Sequence, residues 1–156
     1  MPKLDLTQIE RRTGSIYPGS LNALMEGRSS LRLGDAGGLT QFGVNLVFLE
    51  PGGASSMRHY HMEQDEFAMV TQGALVLVDN DGEHPMLPGD CVAWPAGDPN
   101  GHKLVNRTDE VAAFLVVGTK TQTETAYYSD RDLMVQTNGD DIVFTKKDGS
   151  PLDDDI

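Results

Sequence analysis

From Gln41 onward the chain breaks into short apolar runs, many β-branched, separated by glycine, proline and Asn/Asp. Runs bounded in this way read as strands. Residues 42–50 (FGVNLVFLE) form the first and stop at Pro51-Gly52-Gly53. Residues 57–61 (MRHYH), 66–70 (EFAMV) and 74–79 (ALVLVD) follow, and the last of these ends in Asn80-Asp81-Gly82. That triplet predicts a tight hairpin, because Asn and Gly tolerate positive φ. Residues 84–87 (HPML) lead into Pro88-Gly89-Asp90, and 91–94 (CVAW) precede a loop from Pro95 to Gly101. Residues 102–106 (HKLVN) turn at 107–110 into 112–118 (AAFLVVG), and 124–129 (ETAYYS) add an edge strand. Eight or nine short strands with no helix between them predict an all-β, antiparallel sandwich or barrel. A small closed barrel has a mouth that holds a ligand.

The flanks are less regular. Residues 1–40 are Gly-rich with weak periodicity and read as an N-terminal arm, in which Leu21 to Met25 makes one helical turn. The barrel core spans 41–119, and 120–156 is the C-terminal edge strand with an acidic tail, Asp153 to Asp155. A length of 156 residues suits one domain.

Charge narrows the partners. Acidic side chains number 24 against 12 basic, a formal charge of −12. Such a surface repels phosphate backbones and anionic lipid, so the expectation is a small-molecule ligand, with no nucleic acid and no membrane. Cys91 is the single cysteine, so no intrachain disulfide forms. The start, MPKLDLTQIERR, lacks the apolar stretch of a signal peptide, and no apolar run reaches the ~18 residues of a membrane span. The expected compartment is the cytoplasm.

The chemistry concentrates in HYHMEQDE (59–66). Strand side chains alternate, so His59 and His61 share a face and Tyr60 takes the other. Two imidazoles on one face bring polar nitrogens that a core leaves without partners, whereas a divalent metal satisfies both. Glu66 opens the next strand and returns to the same face, while Asp65 has the opposite parity. A fourth ligand comes from His84 or His102. His102 opens a strand just after the glycine-containing loop PAGDPNG. Three imidazoles and a carboxylate suit Zn, Fe, Mn, Ni or Co rather than calcium. Four protein ligands on a six-coordinate ion leave two open positions, a catalytic arrangement.

These residues resemble the two motifs of the cupin superfamily. Gly53, His59, His61, Glu66 and Gly73 match G-x5-H-x-H-x3–4-E-x6-G. Gly89, Pro95, Gly97, His102 and Asn106 match G-x5-P-x-G-x2-H-x3-N, except that four residues rather than two separate Gly97 from His102. With the flanking strands the likeness extends over about 42–118. The resemblance implies a jelly-roll barrel and one divalent transition metal on His59, His61, Glu66 and His102. The segments GDAGGLTQFGVNLVFLEPGG, PNGHKLVNRT and KKDGSPL further resemble small bacterial single-cupin proteins, some of them called candidate sugar-phosphate isomerases.

Other residues read as structural. His84 precedes Pro85 in a hairpin arm and reads as solvated. Cys91 reads as a small buried filler. Trp94 either lines the pocket or packs. Gln41 and Asn45 share a face and read as structural hydrogen-bonding groups. Two function classes follow: a metal-dependent enzyme of isomerase/epimerase or dioxygenase type, or a non-catalytic module that binds or senses a small ligand. A phosphate requires Arg or Lys in the pocket. Arg58 and Lys103 adjoin ligands and so point to the opposite face, so the sequence offers no obvious phosphate cradle and counts against a sugar-phosphate substrate unless Arg28 or Arg32 of the arm folds over the mouth. A homodimer is expected, because open sheet edges invite pairing.

Overall fold

The computed structural model describes residues 2–154. Two short strands, β1 (Arg12–Thr13) and β2 (Arg28–Arg32), flank a 3-10 helix over Gly19–Met25. The central strands are β3 (Phe42–Leu49), β4 (His59–His61), β5 (Glu66–Gln72), β6 (Leu75–Asp79) and β7 (Gly82–Met86). Then come β8 (Cys91–Trp94), β9 (Lys103–Val105), β10 (Ala112–Thr119) and β11 (Thr123–Tyr128). A closing hairpin joins β12 (Met134–Asn138) to β13 (Asp141–Thr145). Every strand expected from Gln41 onward is present, and helix is confined to short turns, as the sequence predicts for an antiparallel all-β fold.

The strands pair antiparallel in three groups: β1-β2-β3-β10-β5-β8, β13-β12-β11-β4 and β7-β6-β9. The last two are joined where His59 and His102 exchange backbone hydrogen bonds of 3.3 and 3.0 Å. Period-2 alternation decides what lies between the layers. On β5, Ala68 and Val70 are buried while Phe67 is 39% exposed. One core cluster gathers Val47, Leu49, Val70, Leu75, Leu77 and Phe114. A second gathers Leu21, Met57, Ala126, Tyr128, Leu133 and Val135, so the N-terminal 3-10 helix packs against the β11–β12 region.

Three expectations change. Arg28–Arg32 is a paired strand, in register with β3 from Arg28↔Leu49 to Arg32↔Asn45. Its polar inward residues hide the pattern because that part of the face borders a cavity rather than a core. The segment 124–129, expected at an edge, is internal, since β11 lies between β12 and β4. Its covering hairpin turns through Asn138-Gly139, with Gly139 at φ +60°, a signal legible in the sequence. At the Asn80-Asp81 turn only Gly82 takes positive φ, +118°. Of the acidic tail, Asp155 lies outside the described residues, and Asp153 meets Lys146 at 2.9 Å. Among the described residues no helix is long and apolar enough to cross a membrane.

Candidate metal centre

Four side chains meet where the layers join. His59 and His61 project from β4 on one face, as their spacing requires. Glu66 opens β5, and His102 sits at the bridge just before β9. The Nε2 atoms of His59 and His61 are 3.2 Å apart. Glu66 bridges the set, with Oε2 3.1 Å from His61 Nε2 and Oε1 3.0 Å from His102 Nε2. Ligand atoms of His59, His61 and Glu66 all lie within 4.8 Å of one another.

The far side of two of the rings explains their aim. His59 Nδ1 donates to the Met57 carbonyl at 2.8 Å, and His102 Nδ1 donates to the Asn100 carbonyl at 3.0 Å. These contacts fix the tautomer that turns the Nε2 lone pair inward. Trp94 stacks on His102 with centroids 3.5 Å apart and planes 6° from parallel, so it both packs and shapes the site. The β5–β8 register puts Trp94 directly beside Glu66.

The loop from β4 to β5 is clamped from outside the motif. Glu124, buried on β11, accepts the Met62 N–H at 2.7 Å and the Glu63 N–H at 3.1 Å. Asp65 points outward as expected and accepts the Ala96 N–H at 2.8 Å. Sequence reading missed Glu124, although its alternate position to Ala126 and Tyr128 on a strand was the available signal. The four-residue step to His102 is anchored too: Asn100 Oδ1 accepts the Asn80 N–H at 2.9 Å. Gly101 passes so close to Ser129 that a Cβ there would collide with its hydroxyl.

Electrostatics follow from burial and crowding. Burial pushes the His59 pKa down to about 4, with Glu66 opposing and the neighbouring imidazoles adding. Burial also pulls His61 down, but the hydrogen bond and charge of Glu66 outweigh it and hold His61 above its ordinary value. Burial works to raise Glu66, yet its close contacts with His102 and His61 hold its carboxyl far below the usual range. His61 Nδ1 is buried and, among the described residues, has no hydrogen-bond partner.

The cluster opens into a cavity of about 950 Å³ between the layers. Gly43, Gly118 and Ala68 make the wall beside Glu66, and their small size leaves the space. Asn45 borders the cavity, while Gln41 is exposed and only its carbonyl is used, by the Lys120 N–H. Arg28 and Arg32 border it, as does Lys103, which alternation had assigned to the opposite face. Arg58 points away and pairs with Asp130 at 3.2 Å. His84 lies outside the cavity, hydrogen-bonded to Asp79 at 3.0 Å. Cys91, expected to be buried, is exposed, because its register opposite Met69 puts it on the outer face of the sheet.

A family model for the cupin domain matches residues 45–118. No curated protein matches the chain. Among solved structures, one from Silicibacter pomeroyi, described as a sugar phosphate isomerase from a cupin superfamily, is 75% identical. That match covers 99% of this chain and 98% of the other, with a TM-score of 0.97. A protein from Acidithiobacillus ferrooxidans, named as a candidate sugar phosphate isomerase, is 26% identical over 85% of this chain and 84% of its own, with a TM-score of 0.77. A polyketide cyclase from Streptomyces resistomycificus shares the fold at 21% identity, covering 76% and 79% of the two chains with a TM-score of 0.60. The motif residues, the layered antiparallel strands and the near-complete match to the Silicibacter protein agree, and the chain belongs to the cupin superfamily.

Proposed function

We propose that this protein is a metal-dependent isomerase or epimerase of a small hydroxy-carbonyl compound, with His59, His61, Glu66 and His102 as the metal ligands. The observation that carries the reading is the convergence of three Nε2 atoms and both Glu66 oxygens at the inner end of a large cavity. The donor set fits a divalent transition ion of the Zn, Fe, Mn, Ni or Co type. Without one, His59 Nε2 and His61 Nε2 face each other at 3.2 Å, a contact in which at most one nitrogen carries a proton. The likeness to a protein named as a sugar phosphate isomerase supports the isomerase class over the dioxygenase one.

Such an ion supplies Lewis acidity toward a substrate carbonyl. The chain's own residues prepare the place. Carbonyls of Met57 and Asn100 lock the outer rings, and Trp94 keeps His102 in plane. Glu124 holds the backbone that leads into Glu66. Tyr128, whose ring lies 5.8 Å from that of His59, keeps its phenol proton because burial and the adjacent Tyr17 push its pKa up. Protein purified without chelator, assayed by NMR against a panel of sugars and sugar phosphates, should interconvert one of them, and chelation should abolish the activity. Turnover that is unchanged after complete metal removal would contradict the reading.

A further inference from the structure

We propose that Arg12, Arg28 and Arg32 form an anion subsite that holds a phosphate group of the substrate on the β1–β2 margin of the cavity. The inference deepens the proposed isomerase reading and rests on it for the identity of the cavity as a substrate site.

The register places the three side chains. Arg28 and Arg32 pair with Leu49 and Asn45 of β3, and Arg12 pairs with Ser30 of β2. Leu49, Asn45 and Val47 lie on the inward face of β3, so all three arginines share that face and border the cavity. Arg11, one position away, takes the other face and sits over the Phe48 ring at 4.0 Å. The strand order puts β2 three spacings from β5, about 14 Å along the sheet. The arginines and Glu66 thus bound the cavity from separated strands.

Their charge is unspent. In a chain with 24 acidic and 12 basic side chains, each arginine had ample carboxylates to meet. Among the described residues none of the three makes a salt bridge, and the sole side-chain hydrogen bond is from Arg28 Nε to the Ser55 carbonyl at 2.9 Å. Asp35 lies near Arg12 and Arg32, but its carboxylate is taken by Lys120 at 2.7 Å. Burial holds the Arg28 pKa below its ordinary value, and the charge of Arg32 acts in the same direction. Arg28 is half-buried while Arg12 and Arg32 are exposed at the cavity margin, and like charges gathered there repel one another until an anion joins them. Forked guanidinium groups match a phosphate's oxygens, and a phosphate carries more charge than a carboxylate. These arginines precede residue 45, where the cupin-domain match begins. The proposed phosphate subsite therefore lies in the N-terminal segment, and the metal-ligand set in the matched domain.

The test is calorimetric titration of inorganic phosphate into the full chain as purified, at low salt, with metal content measured in each sample. Wild type should bind saturably, and Arg12→Gln and Arg32→Gln should each weaken binding about tenfold with metal content unchanged. Arg28→Lys, chosen to spare the buried charge, should weaken it as well. His61→Ala should lose metal yet keep phosphate binding, which separates the subsite from the metal. Thermal melts verify that each variant is folded. Unaltered phosphate affinity in the Arg12→Gln/Arg32→Gln double variant, or acetate binding as tightly as phosphate, would overturn the proposal. If wild type takes up no metal but its phosphate binding still depends on the arginines, the isomerase reading falls and the subsite stands.

Discussion

Acidifying the metal-free protein should expose the cost of burying His59. Its imidazole has an ordinary pKa of 6.5 and a folded value of about 4. Above 6.5 both folded and unfolded chains leave it neutral, and it does not affect stability. Below 6.5 the unfolded chain takes a proton that the folded site refuses, so stability falls as pH drops. At about 1.4 kcal/mol per pH unit, the span from 6.5 to about 4 removes about 3 kcal/mol. Two neighbours leave most of this window clear. His61, held above its ordinary value, contributes stability that is already complete below 6.5 and is lost as pH rises through the folded value. Glu66, held low, contributes stability present above its ordinary 4.5 and lost as pH falls below that. Between pH 6.5 and 4.5 the slope therefore belongs to His59. Chelator-treated wild type and His59→Leu, unfolded in urea across pH 7.5 to 4.5, measure it. Wild type should lose most of the ~3 kcal/mol, roughly 6–12 °C in Tm for a chain of this size, while His59→Leu stays nearly flat. Equal slopes for the two proteins would refute the reasoning.

Three further outcomes follow from the packing. Trp94→Ala should cost about 3–5 kcal/mol by opening a core cavity, and should weaken metal binding about 10–100-fold because His102 loses its stacking partner; Trp94→Phe should do less of both. Asn106 is fully buried and donates to the Leu49 and Glu110 carbonyls while accepting from Thr108, so Asn106→Ala should cost about 3 kcal/mol in urea melts with metal stoichiometry unchanged. The outward face of the six-stranded sheet carries Phe42 and Phe67, about two-fifths exposed, with Leu46, Phe48 and Val117 beside them. We expect a homodimer through this face, which Phe67→Glu should convert to monomer in light scattering; a monomeric wild type at micromolar concentration would contradict it.

Much of this was legible in the sequence because period-2 alternation is strong where a strand faces a core. FGVNLVFLE and EFAMV revealed β3 and β5, and the spacing in HYH places His59 and His61 on one face. Alternation also sent Asp65 outward and Glu66 inward. It failed where the inward face borders a cavity. RSSLR carries Arg28, Ser30 and Arg32 inward, so its polarity disguised a paired strand as a loose arm. It failed again for Cys91, whose apolar neighbours suggested burial although the outer sheet face is itself apolar. The stacking of Trp94 on His102 and the Glu124 clamp join residues distant in sequence. The β5–β8 pairing sets Trp94 beside Glu66, the His59–His102 bridge brings His102 to the same place, and the β4–β11 pairing delivers Glu124.

The most direct measurement is metal content per chain for wild type, His102→Ala and His84→Ala, each purified without chelator and analysed by plasma mass spectrometry. His102 faces Glu66 inside the cluster, whereas His84 sits outside it against Asp79. Wild type and His84→Ala should each carry close to one divalent transition ion, and His102→Ala should carry much less. A metal-free wild type, or a site emptied by His84→Ala but not by His102→Ala, would contradict the account.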